Sequence, residues 1–286
     1  MVSPHARRQA VHHLVSEHHM SERHACQVIG VSRSTVRYQK RGRLDEAVMV
    51  AAVRDFAHQF PQYGYRHTTV LMQREGNYKI NHKRVERIWR QEGLQLSRRK
   101  IVKRRFGEGG DVKQRAQYPN HVWSYDFTED RTEWGQRVRV LAVMDEFTRE
   151  CLMLYAARSI SSKRVIDILD WLFATRDVPQ HLRSDNGPEF VADRVQQWLA
   201  DQGSQTLYIT PGSPWENPFI ERFIGTLQTE CLDRYLFDRV SEAQMILDHY
   251  LDEYNGFRPH SSLGYLTPVA FRKQWIDQMT LTPTGT

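Results

Sequence analysis

Apolar residues in the first hundred positions recur every three or four residues, the spacing of amphipathic helices. After His121 they fall instead into short runs and alternations that fit strands. Between residues 5 and 40, Ala10, Leu14 and Val15 mark one helix. Ser21 then caps Glu22-Arg-His-Ala-Cys-Gln-Val-Ile, and Gly30-Val31-Ser32 supplies a turn and a second cap before Arg33 to Tyr38. This is a helix-turn-helix pattern, with Ala25, Val28, Ile29, Val31 and Val36 expected to pack together. After a charged break from Lys40 to Asp45, Val50, Val53, Phe56 and Ala57 line another helix. Pro61 to Arg66 turns, Thr69, Leu71 and Met72 lead a helix that Gly76 ends, and Asn81 caps Lys83 to Gln91 with Val85, Ile88 and Trp89 inward.

The second half predicts Val122 to Thr128 as a short strand, Arg137 to Asp145 as a second and Cys151 to Ala157 as a third, joined tightly enough for an antiparallel meander. Val165, Ile168, Leu169, Leu172 and Phe173 mark a helix, His181 to Ser184 a brief strand, and Pro188 to Gln202 a helix. Thr206 to Ile209 is a fifth strand, and from Pro218 a long helix carries Ile220, Phe223, Ile224, Leu227 and Leu232. Three strands, helix, strand, helix, strand, helix is the order of a ribonuclease H-like α/β layer. The fold class expected is therefore a mixed five-stranded sheet with helices, preceded by all-α helix-turn-helix domains. The boundaries expected are 1–42 and 43–97 for the two helical domains, 98–118 for a basic linker, 119–275 for the core and 276–286 for a tail.

Charge sharpens this division. Residues 1–118 carry 24 Lys and Arg against 10 Asp and Glu, whereas the remainder carries 16 against 24. A front that attracts polyanions and a back that concentrates carboxylates suit nucleic-acid binding followed by metal chemistry. Arg33, Ser34, Thr35 and Arg37 would face a major groove. Lys83, Arg84 and Arg87 would present charge from the second unit, and Arg98, Arg99, Lys100, Lys103, Arg104 and Arg105 would lie along phosphates. Cys26, Cys151 and Cys231 are isolated, which suggests neither a disulfide framework nor a zinc ribbon, and the histidines at 12, 13, 18, 19 and 24 lack a second nearby cysteine. No window approaches 18 continuous apolar residues and no apolar leader opens the chain, so the expected location is cytoplasmic, without membrane.

Three carboxylates stand out against this frame. Asp126 falls within the first predicted strand, Asp185 at the end of the fourth, and Glu221, 36 positions after Asp185, in the first turns of the helix after the fifth. In this order strands one and four are neighbours, which brings both aspartates to one edge with the glutamate closing over them. Such oxygen-only donors suit Mg²⁺, with Mn²⁺ as a substitute. Glu216 is the rival third ligand, but it precedes Asn217-Pro218 at or before the helix start, so Glu221 is preferred.

The stretches Trp123-Ser-Tyr-Asp126, Ser184-Asp-Asn-Gly187, Ser213-Pro-Trp-Glu-Asn-Pro-Phe-Ile-Glu221 and Tyr254-Asn-Gly-Phe-Arg-Pro-His260-Ser-Ser-Leu-Gly resemble the integrase core of bacterial insertion-sequence transposases. The particular group is encoded by two overlapping frames, and the chain resembles the downstream product. Tyr63-Gly-Tyr-Arg66 and Asn81-His-Lys-Arg-Val85 are similar to that group's helix-turn-helix region. The resemblance implies Asp126, Asp185 and Glu221 as a DDE triad, Mg²⁺ as cofactor, and cleavage and strand transfer at terminal inverted repeats. It also implies double-stranded DNA ends and target as partners, at least a dimer on DNA, and the upstream-frame protein as a candidate partner in a bacterial, nucleoid-associated setting. The sequence departs from the group's pattern in Pro218 and in Gln228, which stands where many relatives carry Lys. The competing readings are an inactive DNA-binding regulator and a ribonuclease H-like nuclease.

Overall fold

A computed structural model describes residues 3–38, 43–95, 114–184, 193–208 and 217–281. Two compact units result, Met1–Ala52 and Val53–Thr286. In the first, α1 (Pro4–Ser16), α2 (Glu22–Ile29) and α3 (Arg33–Arg37) each begin at a serine whose hydroxyl accepts a backbone N–H. These are Ser3 for Ala6, Ser21 for His24 and Ser32 for Thr35. Gly30 closes α2 at φ 63°, a left-handed conformation that glycine adopts without a Cβ clash. Val11, Ala25 and Cys26 form the small core, with Leu14, Met20, Ile29, Val31 and Val36 against it. Val28, expected in this core, is instead 58% exposed. The buried face of α2 runs through Ala25, Cys26 and Ile29, and Val28 turns away from it.

The larger unit opens with the end of α4 (Glu46–Gln59), then α5 (Tyr65–Arg74) and α6 (His82–Gln91), the last capped by Asn81 Oδ1 on the Lys83 N–H at 2.9 Å. Five strands follow: β1 (Val122–Arg131), β2 (Arg137–Asp145), β3 (Cys151–Ala157), β4 (His181–Ser184) and β5 (Gln205–Tyr208). Their order is β3-β2-β1-β4-β5, antiparallel across the first three and parallel across β1-β4 and β4-β5. The mixed five-stranded sheet expected from the sequence is thus present. β1 runs three residues further than Thr128, because Glu129, Asp130 and Arg131 complete the hairpin opposite Arg139, Val138 and Arg137.

Helices cover both faces. On one, α7 (Ser162–Arg176) and α8 (Asp193–Asp201) bury Leu169, Leu172 and Leu199 against Trp123, Tyr125, Leu141 and Val143. On the other, α9 (Pro218–Glu230) and α10 (Val240–Gly256) bury Ile220, Phe223, Leu227 and Leu247 against Val138, Val140, Ala142 and Met144. Leu232, expected at the end of α9, lies just beyond it in a buried 3-10 turn. Two amides of α10 also reach the outer edge of β3. Gln244 Oε1 accepts the Ala156 N–H (2.6 Å) and its Nε2 donates to the Leu154 carbonyl (2.8 Å). Asn255 Oδ1 accepts the Cys151 N–H (2.8 Å) and its Nδ2 donates to the Cys151 carbonyl (2.7 Å). The final helix, α11 (Pro268–Leu281), meets α10, and its Arg272 reaches the buried Glu150.

The 53–95 segment packs on the core within the same unit. Tyr63 Oη donates to Glu253 Oε1 (3.1 Å), Arg74 Nη2 donates to the Phe257 carbonyl (2.7 Å), and the Phe60 and Phe257 rings stack 5.2 Å apart. Beneath these contacts Arg258 grips Glu230 through two 2.6 Å hydrogen bonds.

Candidate active site

Residues paired across an antiparallel ladder point to the same face of the sheet. Asp126 pairs with Ala142, which packs beneath α9, so Asp126 shares the α9 face with Ser124 and Thr128, opposite Met144 and Val140. Trp123 and Tyr125 point into the other layer. Glu221 occupies the first turn of α9 behind Pro218, between buried Ile220 and Phe223, and α9 packs against β1 and β2. Both carboxylates are partly buried. Asp126 Oδ1 accepts its neighbour Phe127's N–H at 2.7 Å, which fixes one carboxylate oxygen. Glu221 lies where the helix dipole favours a negative charge.

β4 pairs beside β1 with Ser124 opposite Arg183, so the chain leaves β4 at Ser184 on the same edge as Asp126. Asp185, Glu216 and the linker residues Arg98, Arg99, Lys100, Lys103, Arg104 and Arg105 lie outside the described residues. Among the described residues no group of three His, Cys, Asp or Glu side chains could hold a metal.

The sequence reading did not foresee a buried network at this edge. Glu146 Oε1 accepts both Ser124 Oγ (2.7 Å) and Arg183 Nε (2.8 Å), and Arg183 Nη2 donates to the Gln114 carbonyl (2.9 Å). The side chains of Arg183 and Glu146 are 2% and 0% exposed. The pair ties the β2-β3 turn to both β1 and β4 immediately before Asp185, and so sets where β4 ends relative to Asp126. The only sequence signal was an arginine inside an otherwise buried strand, which demands a partner.

The residues expected to face DNA are placed as follows. Arg37 forms a fork on Glu22, with Nε to Oε1 at 2.8 Å and Nη2 to Oε2 at 3.0 Å, and Arg33 Nε also donates to Oε1 at 3.3 Å. Ser34 and Thr35 hydroxyls contact Ser32 Oγ at 3.0 and 2.8 Å. Such exposed ion pairs contribute little to stability. Lys83 is exposed on α6, whereas Arg84 and Arg87 are partly buried and Arg87 Nη1 donates to Gln91 Oε1 at 2.9 Å. Beside them, Arg66, Lys79 and His82 line a cleft of about 970 Å³. Gln228, on α9, donates to Asp233.

Comparison with known proteins agrees with this architecture. Residues 116–214 and 202–268 match family models of the integrase core domain, and residues 43–101 match an HTH-like domain. A 31.7 kDa protein of insertion element IS407 from Burkholderia multivorans is 36% identical over 257 residues, covering 88% of this chain and 90% of the relative. The putative transposase InsK for insertion sequence element IS150 of Escherichia coli is 30% identical over 225 residues, covering 74% and 78%. Among solved structures, a simian T-cell lymphotropic virus intasome shares the fold at 18% identity and TM-score 0.50, over 77% of this chain and 74% of that one.

Proposed function

The chain belongs to the insertion-sequence transposases with an integrase catalytic core, enzymes of the DDE polynucleotidyl transferase type, and on that premise we propose that it binds its element's terminal inverted repeats and both cleaves and joins DNA there. The observation that carries the chemistry is the convergence at one sheet edge. Asp126 lies on the sheet face that α9 covers, Glu221 belongs to the first turn of α9, and β4 ends beside β1 at Ser184, the residue before Asp185 in the sequence. We assign the triad to Asp126, Asp185 and Glu221, with Glu216 excluded.

The donor set is all carboxylate oxygen, which fits hard divalent cations such as Mg²⁺ and does not call for a soft-metal centre. When bound, a pair of such ions supplies Lewis acidity to the attacking and leaving oxygens of an in-line displacement. The chain's own residues do the rest. The Phe127 amide holds Asp126 in one orientation, and the hydrophobic seat of Ile220 and Phe223 fixes Glu221. Water attacks a phosphorus at the element end and frees a 3′-hydroxyl, which then attacks a target phosphodiester and displaces its 3′-oxygen. Lys83, Arg84 and Arg87, the α3 residues Arg33, Ser34, Thr35 and Arg37, and the basic stretch 98–105 hold the duplex. Synapsis of two ends requires at least a dimer on DNA, with the upstream-frame protein as a further partner.

The test uses supercoiled DNA carrying the element's ends with Mg²⁺, comparing wild type with Asp126→Asn, Asp185→Asn and Glu221→Gln. Nicked and joined products should fall to background in each variant while end binding persists. Wild-type levels of product from any of the three would remove that residue from the triad. Cleavage of RNA-DNA hybrids in preference to duplex ends would favour the nuclease reading.

A further inference from the structure

Beside α9, on the side facing the 254–262 segment, lies a cavity of about 210 Å³ whose described lining contains no acidic residue. Arg149, Arg222, Arg258, His67 and His260 all border it. Their charges are not equivalent. Arg258 is neutralised by its double hydrogen bond to Glu230. Burial, followed by the neighbouring Arg258, lowers His67 to about 4 and His260 to about 3, so both rings are neutral at physiological pH. Among the described residues, Arg149 and Arg222 remain without a hydrogen bond to a carboxylate.

Arg149 is the unusual one. It occupies the β2-β3 turn at φ 62°, and its guanidinium lies 3.6 Å over the Phe219 ring. Its Nη1 is buried without a hydrogen-bond partner. Burial lowers its pKa, opposed by Glu146, Tyr254 and Asp145. Asp145 is fully engaged, whereas Glu146 is engaged only through Oε1, its Oε2 being buried without a hydrogen-bond partner. Glu146 Oε1 receives Ser124 and Arg183, and Asp145 accepts the backbone amides of Asn120, Phe147 and Thr148. Glu146 and Asp145 offset part of the cost of burying the Arg149 guanidinium, and an anion in the cavity would offset more of it. Arg222 follows Glu221 directly on α9 and is exposed, so a ligand held by Arg149 would be reached by a second guanidinium.

The cavity is also close to the proposed chemistry. Met144, in its lining, pairs with Ser124, two strand positions from Asp126 on the same face, or roughly 7 Å along β1. We propose that Arg149 and Arg222 form a phosphate subsite that seats one backbone phosphate of the DNA strand next to the reacting one, Arg149 as the buried fork and Arg222 as the outer clamp. The inference rests on the transposase reading, because it is the substrate's own backbone that supplies the anion. Planar guanidinium donors match two phosphate oxygens at once, and Phe219 holds the Arg149 fork in plane.

The test reads binding, separately from cleavage. Fluorescence anisotropy with a terminal-repeat duplex, in EDTA over a salt series, compares wild type, Arg149→Met and Arg222→Gln of the full chain. Each variant should bind about tenfold more weakly, with the slope of log K against log salt reduced by about one phosphate. A single methylphosphonate, walked along the terminal nucleotides, should weaken wild type at one position and leave Arg149→Met unaffected there. Arg222 is exposed, so its variant keeps the test valid if Arg149→Met fails to fold. Wild-type affinity and slope in Arg222→Gln and in any folded Arg149→Met would overturn the subsite, as would equal methylphosphonate penalties in wild type and variant. If that happens while Asp126→Asn still abolishes cleavage, the subsite falls and the transposase reading stands. Failure of wild type to bind the ends at all would overturn both.

Discussion

Glu146 and Arg183 allow the sharpest energetic prediction. Their side chains are essentially sealed from solvent, and the guanidinium is held by Glu146 Oε1 at 2.8 Å and the Gln114 carbonyl at 2.9 Å. Desolvating two charges consumes most of their mutual attraction, so the pair as a whole adds little net stability. Removing one member leaves the other charged and buried, at a cost of about 3–5 kcal/mol. Glu146→Gln should therefore destabilise strongly. With a urea dependence of about 2–3 kcal/mol per molar, the midpoint followed by circular dichroism should fall by roughly 1–2.5 M. The double replacement Glu146→Leu with Arg183→Met removes both charges and should recover most of that loss. Because the pair also fixes the end of β4, the double variant should regain stability without regaining full cleavage. A single variant as stable as wild type, or a double variant worse than the single, would refute the argument.

Other expectations follow from individual contacts. Asn255→Ala strips partners from both the N–H and the carbonyl of buried Cys151 and should cost about 2–4 kcal/mol, measured by urea unfolding. Gly30→Ala meets no atom within 4 Å, so only its φ of 63° is penalised; about 1 kcal/mol should appear as roughly fivefold faster amide exchange in α2. His67 and His260 titrate in the folded state near 4 and 3, below the ordinary value of 6.5. Their contribution is complete above pH 6.5 and drains as pH falls towards those values, at most about 2 kcal/mol each by pH 5. Melting temperatures from pH 7 to 5 should fall less steeply in His67→Gln and His260→Gln; unchanged slopes would refute this.

Much of the architecture was legible because it is written in local periodicity. The β2 bounds, the start of β3, the caps Ser21, Ser32 and Asn81 and the placing of Pro218 at the head of α9 all follow from spacing and terminal residues. The position of Asp126 on the α9 face also required only the two-residue alternation of β1 against β2. Val28 and the last three residues of β1 went astray for opposite reasons. A five-residue α3 makes a core too small to use every apolar side chain, and a charged hairpin end pairs by backbone without any apolar signature. What pattern could not supply was partnership over long separations. Glu146 with Arg183, Glu230 with Arg258 and Asn255 with Cys151 lie 37, 28 and 104 residues apart, and each exists only once the layers are stacked.

The two amides that α10 lays on β3 have a further consequence. β3 ends the sheet, and an exposed terminal strand is a template onto which another chain can add. Gln244 and Asn255 lie eleven residues apart, about 16 Å along a helix, and the strand positions they engage, Ala156 and Cys151, are five residues apart, also about 16 Å. Helix and strand thus share a common ruler at this border, and the helix occupies sites that a neighbouring molecule's backbone would otherwise take. A product truncated before Val240 would keep all five strands and lose this guard, which makes intermolecular β-addition, and aggregation with it, the expected fate of an incompletely translated chain.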